Sequence, residues 1–279
     1  MKARARSPRR VLNAAVAAAS GAAAFAGIFM MGWILYEIAV RGAAAINWDF
    51  FTKLPPPPGG QGGGVANAIY GTVAMTGLAA AVGIPVGLFS GVYLAEFGRH
   101  GRAADAIRFV SNVVMGTPSI IIGMFVYAVF VKPFGAFSGY AGAAALAVIM
   151  LPVMSRTAED MLTLVPNELR EASLALGAAR WRTTTTIVFR ASRSGLITGA
   201  ILAIARVSGE TAPLLFTALN SPYWNRTLAG PTGNLTVTIF NFAMSPFANW
   251  QQMAWGASLV IIVGVLLMTV TARLLMREK

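Results

Sequence analysis

Arg206 and Glu210 are two opposite charges four residues apart in the apolar stretch RVSGETAPLL, residues 206–215. A guanidinium offers a planar fork of N–H donors that matches oxyanions, and a neighbouring carboxylate can hold and orient it. An arginine at the centre of a bilayer costs about 2.5–3.5 kcal/mol on insertion scales. We therefore expect the pair to face a bundle interior or a wet cavity, where it either binds an anionic substrate or ties neighbouring helices together.

One helical face would gather the small and polar residues around this pair. At about 100° per residue, a continuous helix places on one stripe Gly195, Gly199, Leu202, Arg206, Glu210, Pro213 and Thr217. Local unwinding near Gly209 and Pro213 could free backbone groups beside Glu210. The predicted substrate pathway consists of Arg206, Gly209, Glu210, Thr211 and Thr217.

The composition places these residues in a membrane protein. Apolar residues make up 56% of the 279 residues, charged ones only 11%, and the mean hydropathy is +0.65; soluble domains carry about 25% charged residues. A helix needs about 20 residues to cross the hydrocarbon core. Six segments approach or exceed that length: 14–40, 66–94, 108–131, 141–156, 194–219 and 251–275. The sequence predicts an all-α integral membrane protein with six transmembrane helices.

The net charge of +12 follows the predicted topology. With the N-terminus inside, the inside segments carry 17 Lys and Arg residues and the outside loops four. This asymmetry obeys the positive-inside rule and places both termini in the cytoplasm. Nucleic-acid binding is not indicated. Residues 1–27 resemble a signal peptide, but the apolar run continues to Val40, which favours an uncleaved first helix.

Motifs of autonomous enzymes are missing from the sequence. It has no cysteine and one histidine, His100, which excludes disulfides and the usual Cys/His zinc sites. No phosphate-binding loop, HExxH or GxSxG motif occurs. We expect no catalytic residues, metal or cofactor, so any ATP-driven work needs a separate ATPase.

The inside loop 157–193 contains a predicted amphipathic helix. Pro166 and Glu168 suit its first turn, and Gly177 suits its end. Glu168, Arg170 and Glu171 give its polar face both charges. This mixture fits a groove on a partner protein better than an anionic lipid surface.

Two further glycine-containing segments have predicted structural roles, one as a helix-packing seam and one as a linker. Gly83, Gly87 and Gly91 lie four residues apart in the second helix, which predicts a close packing seam; a hinge at Pro85 is the alternative. The stretch LPPPPGGQGGG, residues 54–64, predicts a linker within the external loop 41–65.

The stretch EASLALG, followed by nine residues and Ile187, resembles the EAA loop of binding-protein-dependent ABC importer permeases. Glu171, Ala172, Gly177 and Ile187 match that motif, whereas Ser173 replaces its second alanine and Phe189–Arg190 replaces its Leu-Pro ending. GETAPLL, together with GTPSIIIGMFVY at 116–127 and LGAARWRTTTTIVF at 176–189, resembles the phosphate branch of this family, and PstA-type subunits more than PstC-type ones. The resemblance covers about residues 65–275.

The resemblance implies a MetI-like permease core over residues 66–275, preceded by a basic tail (1–13) and a first helix (14–40) and followed by a short tail (276–279). It implies a coupling helix that docks on the ATPase through Leu169, Arg170, Glu171, Ala172, Gly177 and Ile187. It further implies a complex with a PstC-type permease subunit, two copies of a PstB-type ATPase subunit and a PstS-type phosphate-binding protein. This complex would import inorganic phosphate through a lipid-embedded permease in the bacterial inner membrane.

Two other readings stay open on the residues alone. One is a permease for another oxyanion such as molybdate or sulfate. The other is an autonomous secondary anion transporter or channel, which would need no ATPase and would show inverted repeats. An integral membrane enzyme is the weakest reading, because no convergent acid–base or metal-binding set exists.

Overall fold

The computed structural model describes residues 8–98 and 101–277 and forms a helical bundle. Its helices are α1 (Pro8–Ala43), α2 (Trp48–Thr52), α3 (Ala66–Val92), α4 (Arg102–Gly116), α5 (Ser119–Val126), α6 (Lys132–Phe134), α7 (Gly139–Thr163), α8 (Asn167–Ala175), α9 (Arg180–Thr183), α10 (Phe189–Ser208), α11 (Ala212–Thr217), α12 (Leu235–Ala243) and α13 (Ala248–Arg277). Three π-helical turns extend or join them, at Tyr93–Phe97, Tyr127–Val131 and Thr184–Val188. No strand occurs among the described residues.

Five helical stretches of the described chain are long and apolar enough to cross a membrane. They are Arg9–Ala43, Ala66–Phe97, Gly139–Thr163, Arg180–Ser208 and Ala248–Thr271. A sixth span is possible only if α4 and the helix Ser119–Phe134, bent by 107° relative to each other, count as one crossing. The prediction of one helix over 108–131 is therefore wrong. Pro118 lacks an N–H and disfavours helical geometry at Thr117, so the helix ends at Gly116.

The glycine seam of α3 packs against α7, as predicted. A Cβ atom at Gly87 would lie 2.7 Å from the Leu151 carbonyl oxygen, and one at Gly91 would lie 2.5 Å from the Ala158 Cβ. Only glycine allows the two backbones this close. α3 and α7 therefore form a tightly joined pair of helices at the centre of the bundle.

Replacing Gly91 with alanine should destabilise this pair. The added methyl group would overlap α7 backbone and side-chain atoms, a kind of overpacking that costs about 1–3 kcal/mol. A Cβ atom at Gly77 on the same helix would have no neighbouring atom within 4 Å, so Gly77→Ala is the matched control. Thermal unfolding of the detergent-purified protein should show a lower midpoint temperature for Gly91→Ala only. Equal midpoint temperatures for the two variants would contradict close packing at Gly91.

Helix α10 runs antiparallel to α7 and places Arg206 level with the middle of α7. Gly195 of α10 faces Met161, and Gly199 faces Thr157. Seven residues further along α10, Arg206 is level with Met150, near the centre of the 25-residue α7. Val207 and Met150 belong to one buried apolar cluster, which supports this register.

The Pro-rich segment 54–64 is packed against the bundle, so the prediction that it is a linker is wrong. Trp250 of α13 donates an indole N–H to the Pro56 carbonyl at 3.3 Å, and Asn249 donates its amide to the Gly60 carbonyl at 3.0 Å. Just before the segment, α2 buries Phe50 in a cluster with Met253 and Ala257 of α13. Side-chain hydrogen bonds and one buried aromatic ring thus fix a loop whose composition favours disorder.

Helix α1 lies against the bundle near its C-terminal end. Gly42 lies close to Trp255 and Leu259 of α13, and the Arg41 guanidinium stacks 5.2 Å from the Trp255 ring centre. Most of the other described α1 residues are exposed. Of the predicted basic tail, residues 1–7 lie outside the described residues, as do residues 99–100, including His100, and residues 278–279 of the C-terminal tail.

The fourth span and the loop after it differ from the prediction in length. α7 covers Gly139–Thr163 rather than 141–156, and after α8 helical structure resumes at Arg180. Charged residues such as Glu159 and Asp160 lower the local hydropathy although the helix continues through them. The non-helical part of 157–193 therefore shrinks to short connections on either side of α8.

Candidate functional site

The predicted pathway residues lie at a break between α10 and α11. α10 ends at Ser208, and Thr211 precedes α11. The prediction of one continuous stripe from Gly195 to Thr217 is therefore wrong, whereas the unwinding expected near Gly209 is present. Pro213, without an N–H, sits in the first turn of α11, where such an absence is tolerated.

Arg206 and Glu210 do not form the expected i,i+4 ion pair. Within the described residues, neither side chain has a hydrogen-bond or ion-pair partner. The loss of helical geometry after Ser208 removes the spacing on which that pairing depends. Arg206 is exposed on the surface of the single chain and Glu210 is half-buried. The arginine therefore presents a guanidinium without a partner among the described residues, at the level of the middle of α7.

One polar side chain at the start of α12 bonds a backbone carbonyl of this break, and neighbouring polar groups satisfy the first N–H groups of α12. The Thr236 hydroxyl donates to the Glu210 carbonyl at 2.8 Å, and Thr72 of α3 accepts the Leu235 N–H at 2.8 Å. Asn234 caps α12 by accepting the Val237 N–H at 2.8 Å. A broken helix at membrane depth requires such partners. None of these residues belongs to the sequence-predicted site, although an Asn before an apolar run is a recognisable N-cap signal.

Two of the three sequence stretches that carry the phosphate-branch resemblance meet at this break. A Cβ atom at Gly123 of α5 would lie 2.6 Å from the Pro213 Cα of α11, so the backbones of GTPSIIIGMFVY and GETAPLL are in close contact. Thr217 is fully buried and donates to the Pro213 carbonyl at 2.8 Å. Thr217 therefore stabilises α11 and does not line an open path in the single chain.

The predicted cytoplasmic helix is present as α8. Pro166 precedes its first residue, Glu168 lies in its first turn, and Gly177 follows its end with a left-handed φ of +82°. Leu169, Glu171 and Ala172 are exposed, as are Leu174 and Leu176. Exposed leucines beside an exposed carboxylate form a mixed apolar and acidic face that no other described residue covers.

Arg170, predicted to belong to the same docking face, instead points into its own subunit. Its guanidinium Nη2 lies 2.7 Å from Glu96 Oε1 in the π-helical turn after α3. The structure thus separates Arg170 from the exposed residues of α8. Ile187 of the same motif is half-buried in the π-helical turn Thr184–Val188.

Two larger cavities occur in the described part of the chain. One, of about 370 Å³, is apolar and lies between α3, α10 and α13. The other, of about 600 Å³, lies under the Pro-rich segment and includes Asn220, Tyr223 and Asn241. Neither is lined by a charged residue, and the described residues contain no cluster of His, Asp or Glu that could hold a metal. Arg206 therefore remains the candidate group for an anion.

Comparisons with known proteins give a consistent picture. Residues 83–278 match the family model of the binding-protein-dependent transport system inner membrane component. The phosphate transport system permease protein PstA of Yersinia pestis is 45% identical over 97% of this chain and 92% of its own length. PstA 1 of Mycobacterium tuberculosis is 37% identical over 87% of this chain and 81% of its own length.

Solved structures agree at the level of the fold. The permease of the inward-facing MetNI methionine ABC transporter is similar with a TM-score of 0.62 at 20% identity, covering 77% of this chain and 95% of that one. The exposed helix α8, the all-helical bundle of membrane-length helices and these matches lead to one assignment. The chain belongs to the family of binding-protein-dependent transport system inner membrane components, the integral membrane permeases of ABC importers with a MetI-like fold, and within it to the PstA group.

Proposed function

We propose that this chain is a permease subunit of an ATP-driven importer of inorganic phosphate. The naming of relatives up to 45% identical as phosphate transport permeases supports the substrate. The observation in this chain that supports an oxyanion path is the unpaired guanidinium of Arg206, level with the centre of α7 and beside a helix break.

The anion path would lie between this chain and a second permease subunit of the PstC type. Arg206 is exposed on a single copy, at a depth where lipid contact is unfavourable. A second subunit that covers this side would turn the exposed face into a channel wall. Backbone groups near Gly209 and Thr211 and the Glu210 carboxylate would then line the path, with Arg206 as the phosphate ligand.

The exposed face of α8 would dock on one of two PstB-type ATPase subunits, and a PstS-type binding protein would deliver phosphate from outside. Glu171 and Ala172 would meet the ATPase groove, while Gly177 sets the end of the helix.

In this arrangement both termini lie in the cytoplasm and the protein resides in the bacterial inner membrane. The first helix (14–40) and external loop (41–65) would precede the permease domain (66–275). ATP-driven movement of α8 would switch the bundle between outward and inward access, so this subunit itself performs no catalysis.

Uptake of radiolabelled phosphate tests this function. The chain is expressed with its PstC-, PstB- and PstS-type partners in cells that lack their own phosphate permease. We expect phosphate uptake that requires all four components and is not inhibited by excess sulfate or molybdate. Uptake of sulfate or molybdate in place of phosphate would establish the alternative oxyanion, and uptake by this chain alone would establish an autonomous transporter.

A further inference from the structure

Arg170 is the buried residue of an otherwise exposed helix. It is only 8% exposed, and the other α8 residues are exposed or half-buried. Its side chain and that of Glu96 are 10% and 9% exposed. A guanidinium buried to this degree must be neutralised and fully hydrogen-bonded, so its partners define what α8 is attached to.

The guanidinium joins α8 to the ends of two other helices. Its Nε and Nη2 groups donate to Glu96 Oε1 at 3.1 Å and 2.7 Å, which is a forked interaction at the end of α3. Nη2 also donates to the Leu162 carbonyl at 2.7 Å, and Nη1 donates to the Val165 carbonyl, both at the end of α7. A single side chain thus contacts α3 and α7 at once.

Helix dipoles favour this placement of charge. The carbonyl ends of α3 and α7 carry partial negative charge, which stabilises a cation and disfavours a carboxylate. Glu96, in the last turn after α3, is acceptable there because Arg170 compensates it. Removal of the Glu96 charge would leave the guanidinium with carbonyl partners only.

The helices joined by Arg170 form a stiff unit. The Gly83, Gly87 and Gly91 seam holds α3 against α7 at backbone contact, and α7 in turn contacts α10, which carries Arg206. A displacement of α8 that is passed to Glu96 and the end of α7 therefore moves helices that reach the mid-membrane break. The link between α8 and α9, a 2.9 Å hydrogen bond between the Ser173 and Thr183 hydroxyls, is a neutral contact and weaker.

We propose that the buried Arg170–Glu96 pair is the joint through which movement of α8 is transmitted to the α3–α7 pair. Both are positioning residues that set where α8 sits and do not contact the substrate. The proposal rests on the proposed function only in that α8 is taken to be the helix moved by the ATPase.

The test replaces Glu96 with glutamine, which keeps the shape and removes the charge, in the complete transporter reconstituted in vesicles. Two quantities are measured: anion transported per ATP hydrolysed, and hydrogen–deuterium exchange of residues 164–178. We expect the Glu96→Gln complex to lose about fivefold or more in transport per ATP, a typical size for a coupling between sites, and to exchange faster in α8. Arg170→Lys keeps the charge but loses the fork and should show the same two effects.

Asp105→Asn is the matched control. Asp105 carries the same charge on the neighbouring α4, but its side chain is 74% exposed, so both quantities should stay at the wild-type level. The proposal would be overturned if Glu96→Gln left either the hydrogen–deuterium exchange of α8 or the anion transported per ATP unchanged. It would also be overturned if Asp105→Asn lost as much transport per ATP as Glu96→Gln. A wrong substrate would appear separately, as a wild-type complex that moves another oxyanion, and the ratio is then measured with that oxyanion.

Discussion

Replacement of Arg206 by glutamine is expected to lower phosphate uptake by about two orders of magnitude, the usual loss when a preorganised donor to an anion is removed. Glutamine keeps hydrogen-bonding capacity but removes the charge at the level of the α7 centre. Arg206 has no partner in the described chain, so its removal leaves no intrasubunit carboxylate unpaired. Assembly with the other subunits should therefore persist. Uptake of radiolabelled phosphate and the yield of co-purified complex are the two measurements.

Arg193→Gln is the control for this experiment. Arg193 lies on the same helix and is exposed near its first turn, far from the break. It should transport at nearly the wild-type rate. If Arg206→Gln instead prevents assembly, the arginine ties subunits or helices together; if it assembles and transports normally, the anion path lies elsewhere.

Replacement of Glu171 by lysine is expected to reduce co-purification of the ATPase subunit by about tenfold or more, as a reversed charge at an interface centre commonly does. Glu171 is exposed on α8 beside the exposed Leu174, so folding of the permease should not depend on it. The measured quantity is the amount of ATPase subunit recovered with the affinity-tagged permease.

Asp105→Lys makes the same charge reversal on an exposed carboxylate of α4 and should leave the recovery unchanged. Normal recovery of the ATPase with Glu171→Lys would contradict a docking role for this residue. Loss of recovery with both variants would point to a general effect of added positive charge on the cytoplasmic side.

Local signals were sufficient for several elements of the fold. Pro166 and Gly177 bracket α8 because a proline suits the start of a helix and a glycine adopts the left-handed φ at its end. The spacing of Gly83, Gly87 and Gly91 predicts the seam because four residues return to the same helix face. Hydropathy alone finds a segment within or overlapping each of the five helices that are long and apolar enough to cross a membrane, although Glu159 and Asp160 hide the last turns of α7.

Features that depend on contacts between residues far apart in the sequence could not be predicted from local sequence signals. Hydropathy carries through Thr117–Pro118, so it does not register the 107° bend that follows α4. The Arg206–Glu210 pair was expected from helical spacing, which fails because α10 ends at Ser208. The partner of Arg170 is Glu96, 74 residues away, and no local pattern links the two.

The exposed position of Arg206 also bears on how cells keep permease subunits in balance. In the proposed complex, a copy inserted without its companion subunit would hold a cation against acyl chains. The cost would be about 2.5–3.5 kcal/mol, or roughly a hundredfold in the equilibrium between inserted and expelled helix. Assembly would remove that cost by covering the guanidinium. In the proposed complex, this one charge would distinguish an orphan subunit chemically from an assembled one, and we expect surplus chains to be shorter-lived than assembled ones.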